Sequence, residues 1–143
     1  MKKLFFNYLF FFNIFFYLNI YASTENKIIV KINDKIISSY EIKNKINTEL
    51  VLRNLEINQE NIDNFKNYSV QELIKLRLKE IEILKLMSTN YKNVDIGKQL
   101  NKISSGNTVE LKKRFKNNKI NYDIFINELK IQTAWQQLIF QLF

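Results

Sequence analysis

From Ile28 the chain alternates, with Ile28, Val30 and Ile32 interleaved with Ile29, Lys31 and Asn33. Asn33-Asp34 carries turn chemistry, and Lys35-Ile36-Ile37 follows. Two short runs around a two-residue turn predict a tight β-hairpin, which needs something to lie against because an isolated hairpin is marginal in water. Ser38 then precedes Glu41 by three positions, the spacing of a capping box, and Ile42, Ile46 and Leu50 follow at helical spacing. A first helix is predicted from Ser39 to Leu52.

Residues 54–68 are polar and rich in Asn, with Leu55, Ile57, Ile62 and Phe65 dispersed through them. They read as a loop, with room for one short helix after Asn58. Ser69 and Glu72 repeat the capping-box spacing ahead of "VQELIKLRLKEIEILKLM", Val70 to Met87. This segment is apolar over most of its circumference, which marks a central helix. Arg77 and Glu80 fall on its apolar side, three apart, and read as a partly exposed salt bridge of small energetic weight.

Beyond it, Asp95 is placed to cap a short helix through Ser104, with Ile96, Leu100 and Ile103 on one face. Ser105-Gly106-Asn107 breaks the pattern. Thr108 is expected to cap a helix carrying Val109, Leu111 and Phe115, and Asn117-Asn118 ends it. A last helix is predicted from Asn121 to the C-terminus. Its apolar face changes midway: Tyr122, Phe125, Ile126 and Leu129 form one stripe, and Ile131, Trp135, Leu138 and Leu142 form another on nearly the opposite side. Such a helix must touch two different things. The first half is expected on the domain core. The second either folds against the hairpin or presents apolar surface to a partner. The predicted fold is mainly α, an N-terminal β-hairpin followed by a bundle of about five helices with a long central and a long C-terminal helix.

The hydrophobic pattern also sets off the first residues. Met1-Lys2-Lys3 leads into an apolar run from Leu4 to Ile20, with small residues at Ala22 and Ser23. A basic start, an apolar stretch and small residues make a secretory signal peptide, expected over residues 1–22 and leaving 23–143 as one domain. A retained anchor is the alternative. The run lies at the short edge of what spans a bilayer and is interrupted by Asn7, Asn13 and Asn19. Membrane contact is therefore expected only through this segment before cleavage.

Composition narrows the function. The formal charge is +8, or +6 without Lys2 and Lys3. The lysines are scattered among Glu and Asp, and the abundance of Lys, Asn and Ile reads as codon bias, so no nucleic-acid partner is expected. The chain has no His and no Cys. That removes most nucleophile–base pairs, the common zinc ligands, lipoprotein attachment and disulfides. Glu80 and Glu82 point to different sides of a helix, and Gly97 and Gly106 are isolated and form no phosphate loop. No catalytic residues, cofactor or metal are expected, and the residues that remain suit binding.

The ordered motifs resemble a known family. "IIVKINDKIISSYEI" is similar to the opening "I-V-A-x-V-N-D-x-x-I-T-x-x-E-L" of the N-terminal domain of SurA-type periplasmic chaperones, which are related to the parvulin prolyl isomerases. "VQELIKLRLKEIEILKL" resembles that domain's long central helix. "VDIGKQLNKI", Val94 to Ile103, resembles its next segment, and "INYDIFINELKIQTAWQQLI" its final helix, with Tyr122 and Phe125 in the aromatic places. The resemblance runs over the whole chain after the signal. In the family, parvulin domains follow, whereas this sequence stops at Phe143. The resemblance implies a periplasmic chaperone-like module without isomerase activity, whose partners are unfolded or extended polypeptides such as outer-membrane proteins. The surface expected to bind them is Trp135, Leu138, Ile139, Phe140, Leu142 and Phe143. A structural or assembly subunit is the other reading, pairing as a homodimer or with a separately encoded partner through the same helix.

Overall fold

A computed structural model describes residues 26–86 and 91–142. The expected signal segment, Met87 and Phe143 lie outside the described residues. The order is β1 (Ile28–Ile32), β2 (Lys35–Ser38), α1 (Ser39–Leu52), α2 (Gln59–Leu86), a 3-10 turn (Tyr91–Asn93), α3 (Gly97–Ile103), α4 (Thr108–Asn117) and α5 (Tyr122–Leu142). The fold is mainly helical, as the sequence predicts, with a two-stranded antiparallel hairpin ahead of five helices. No helix among the described residues is long and apolar enough to cross a membrane.

In the hairpin, Val30 pairs with Ile37 and Ile32 with Lys35, with an irregularity between Ile28 and Val30. Asn33 takes a left-handed backbone at φ 54°, a conformation in which Asn is enriched among non-glycine residues. The strands hand directly into α1. Ser38 Oγ accepts from Glu41 N at 3.3 Å, and Glu41 Oε2 accepts from Ser38 N at 2.9 Å. This capping box stabilises the helix start by about 1 kcal/mol.

The segment read as a loop before Ser69 is instead part of α2. Asn58 caps the helix, its Oδ1 accepting from Asn61 N at 2.9 Å. Ile62, Phe65, Ser69, Leu73 and Leu76 form an unbroken row at helical spacing, so Ser69 sits mid-helix and fully buried. Glu72 does not reach back to cap; it pairs with Lys75 at 2.9 Å. Asn107 displaces Thr108 as the cap of α4, accepting from Glu110 N at 2.9 Å.

Three helices end the same way. After α1, α3 and α4, the residues Asn54, Ser105 and Lys119 turn left-handed, and the next N–H reaches back to the last turn: Leu55 N to Leu50 O, Gly106 N to Asn101 O and Ile120 N to Phe115 O. These are Schellman caps, and in this glycine-poor chain non-glycine residues occupy the left-handed position.

Two apolar clusters follow. The main one joins Ile37 of β2, Ile42, Ile46 and Leu50 of α1, Leu73, Leu76 and Ile83 of α2, Tyr91, and Ile131, Ala134 and Leu138 of α5. The second joins Val51, Leu111, Phe115, Ile120 and Phe125, with Leu100, Ile103 and Leu129 against it. Phe115 and Phe125 meet edge-on with ring centroids 5.0 Å apart. Helix α5 serves both clusters. The helix does change face midway as expected, but its first stripe faces the second cluster and its later one the main core, whereas the sequence puts the first half on the domain core.

The Arg77–Glu80 pair is no lone surface bridge. Glu80 is buried and accepts from Arg77 Nη1 (3.2 Å), Lys35 Nζ (3.2 Å) and Tyr91 Oη (2.8 Å). Arg77 also pairs with Glu41 and donates to Ile36 O at 3.3 Å. Two cations and two carboxylates tie the hairpin, α1, α2 and the 3-10 turn together. Burying such groups is tolerable only because each has partners.

Candidate functional site

The change of face in α5 has a geometric consequence. Past Leu129, the side of the helix that carried the first apolar stripe turns mostly polar, although Thr133 on it stays buried. At 100° per residue it continues as Gln132, Thr133, Gln136, Gln137 and Phe140. Helix α3 lies beside this row. It contributes no fully buried residue, and Leu100 and Ile103 are its half-buried side.

Between α1, α3 and α5 a cavity of about 560 Å³ opens to solvent. Leu52, Ile103, Phe125 and Leu129 supply its apolar walls, and Gln99, Gln132, Gln136 and Lys102 are among its polar ones. A second hollow of about 460 Å³ shares Gln99, Thr133 and Gln136 with the first and runs on past Gln137 to Phe140 and Gln141. Together they form one trough along α5.

The closed end of the trough is charged. Lys45 of α1 lies 2.9 Å from Glu128 of α5 and 3.2 Å from Glu49, and Arg53 joins Glu49 at 3.3 Å. Burial pushes the Glu128 carboxyl above its ordinary range, against the pull of Lys45. Burial alone would lower Lys45, but Glu128 and then Glu49 outweigh it and hold the ammonium above its usual value. Glu128 also lines a smaller cavity of about 260 Å³ with Glu41, Arg77, Asn121 and Asn127, so the Lys45–Glu128 bridge separates two hollows. Among the described residues no group of three or more His, Cys, Asp or Glu is arranged to hold a metal.

The six residues expected to form a binding surface are not one patch. Leu138 is buried in the main core and Trp135 is half-buried against it, which corrects their placement on an open face: the second stripe of α5 packs inward on the hairpin side of the molecule. Ile139 is exposed. Phe140 is 88 % exposed and lines the far end of the trough, and Leu142 is exposed one half-turn beyond. Phe143 lies outside the described residues. Sequence reasoning missed Leu52, Gln99, Ile103, Gln132 and Gln136. The signal for the last two was present, because a helix that turns its apolar face away leaves the vacated side to be explained.

Comparison of the chain with protein-family models, with curated proteins and with solved structures finds no match. The likeness to the SurA-type domain therefore rests on the ordered motifs alone.

Proposed function

We propose that this chain is a chaperone-like module of the periplasm that holds unfolded, extended polypeptide, outer-membrane protein segments in particular, without prolyl isomerase activity. The observation that carries the reading is the trough: open, elongated, apolar on its floor and lined by glutamine amides together with charged side chains, Lys98 and Lys102 of α3 among them. An extended client alternates its side chains between two faces. One face enters the apolar floor and the other stays in water. Outer-membrane strands alternate apolar and polar residues with this period. Binding of this kind is weak and tolerant of sequence. The signal-like first residues and the family resemblance supply the compartment and the client class.

The test is aggregation of a urea-unfolded β-barrel protein on dilution. The chain after its signal, residues 23–143, is expected to slow the rise in light scattering in proportion to its concentration. Scattering that is unchanged at a large excess of the chain contradicts the proposal.

A second reading is favoured by Phe140 and Leu142, which stand exposed at the end of α5. An assembly subunit would cover them with a second copy or another chain. Sedimentation equilibrium separates the two: a monomer at all concentrations supports the holdase, and a stable dimer supports the subunit.

A further inference from the structure

Five glutamines line the trough: Gln99 from α3 and Gln132, Gln136, Gln137 and Gln141 from α5. None of the five side chains makes a hydrogen bond to another described residue. At the closed end Lys45 bridges Glu128 and Glu49, and Glu49 also pairs with Arg53. Lys98 and Lys102 also line the trough, so the amides are its uncommitted neutral groups, and those on α5 recur along the helix.

Gln132, Gln136 and Phe140 follow at i, i+4 and i+8, and Gln137 and Gln141 form a neighbouring i, i+4 pair. Along a helix that spacing advances about 6 Å. An extended chain presents an N–H and a C=O on the same edge every second residue, an advance of roughly 6.6 Å. The difference is small against the reach of a glutamine side chain. Each primary amide offers two N–H donors and a carbonyl acceptor, so one glutamine can meet both main-chain groups of one residue.

Building on the trough as a polypeptide site, we infer that Gln132 and Gln136 form an amide ladder that reads the main chain of an extended client, as the edge of a β-sheet would. The ladder fixes the direction of the bound strand along α5. It asks nothing of the client's side chains, because main-chain hydrogen bonds carry no sequence information. Preference for apolar residues then comes from Phe125, Leu129 and Ile103 below, and Phe140 takes an aromatic or aliphatic side chain at the open end.

The experiment uses residues 23–143 and two fluorescein-labelled peptides of alternating aromatic and polar residues. One has an unmodified main chain, and the other is N-methylated at every second amide along one edge. Anisotropy titration is expected to show the methylated peptide binding at least about tenfold more weakly, as the loss of one to two hydrogen bonds requires. The Gln132→Ala, Gln136→Ala double variant, which retains good helix formers at exposed or half-exposed positions, is expected to bind the unmodified peptide with the same loss and to discriminate no longer between the two. Equal affinity of both peptides for the unaltered chain, or full discrimination retained by the double variant, overturns the ladder while leaving polypeptide binding in place. Failure of both peptides to bind the unaltered chain removes the ladder and the proposed function together.

Discussion

Lys45 of α1 reaches across to Glu128 of α5, Nζ 2.9 Å from Oε2, and both side chains are nearly enclosed. The contact joins two helices that otherwise meet at few points and closes one end of the trough. It also puts a carboxylate where burial works against its charge.

That conflict sets a pH dependence. Glu128 has a raised folded value, so near its ordinary pKa of 4.5 the native state holds a proton that the unfolded state has lost. A group raised in this way contributes stability that is present below its unfolded value and disappears as pH rises through the folded one. Glu128→Gln removes the titration while Lys45 keeps Glu49. Urea midpoints measured across the acid range are expected to show the unaltered chain losing stability relative to Glu128→Gln as pH climbs above 4.5. Two parallel curves would contradict the burial assigned to Glu128.

Tyr91 gives the opposite end of the scale. Burial, and then its hydrogen bond to Glu80, push its hydroxyl up to about 12 from 10.0. The neutral phenol donates to Glu80, so its contribution is intact below 10.0 and is lost as pH rises through about 12. Tyr91→Phe is expected to cost about 1.5–3 kcal/mol at neutral pH, the worth of a buried bond to a charged acceptor. The deficit should shrink in alkali as phenolate forms in the unaltered chain. Urea unfolding at both conditions, followed beside phenolate absorbance, checks this; a deficit that stays constant into strong alkali counts against it.

Ser69 stands in the core row of α2 with its hydroxyl buried and without a partner. Ser69→Ala removes an unsatisfied polar atom and improves helix propensity. A gain of about 1 kcal/mol is expected in chemical denaturation. A loss of stability would mean that the hydroxyl has a bonded role.

The end of α5 separates packing from surface. Leu138→Ala should cost about 2–5 kcal/mol because it empties a core position. Trp135→Ala should also destabilise, since the ring packs on the same cluster. Phe140→Ala should stay within about 0.5 kcal/mol, as an exposed substitution does. Thermal or urea melts of the three variants decide it, and a stable Leu138→Ala beside an unfolded Phe140→Ala would reverse the assignment.

Much of this architecture was legible in local chemistry. The Ser38–Glu41 spacing, the Asn33-Asp34 turn and the change of face in α5 each follow from residues close in sequence, and each is found in place. Ser69 and Glu72 carry the same spacing and mislead, because spacing does not reveal whether a serine sits outside a helix or inside one. What decides is the row Ile62, Phe65, Leu73, which was diluted by asparagines. The trough was illegible for a different reason. Gln99 and Gln136 lie far apart in sequence, and only the packing of Leu100 and Ile103 on the second cluster brings α3 beside α5. The expected patch at Trp135 and Leu138 failed because the sequence does not show that both apolar stripes of α5 find a cluster, the later one the main core.

The central claim is that the trough along α5 receives an extended polypeptide. Titrating isotopically labelled residues 23–143 with a peptide of alternating aromatic and polar residues, and following backbone amide shifts, tests it most directly. The account predicts perturbations concentrated on Gln99 and Ile103 of α3 and on Leu129, Gln132, Gln136 and Phe140 of α5. Shifts that saturate on the hairpin or the exposed face of α2, with these residues unmoved, would contradict it.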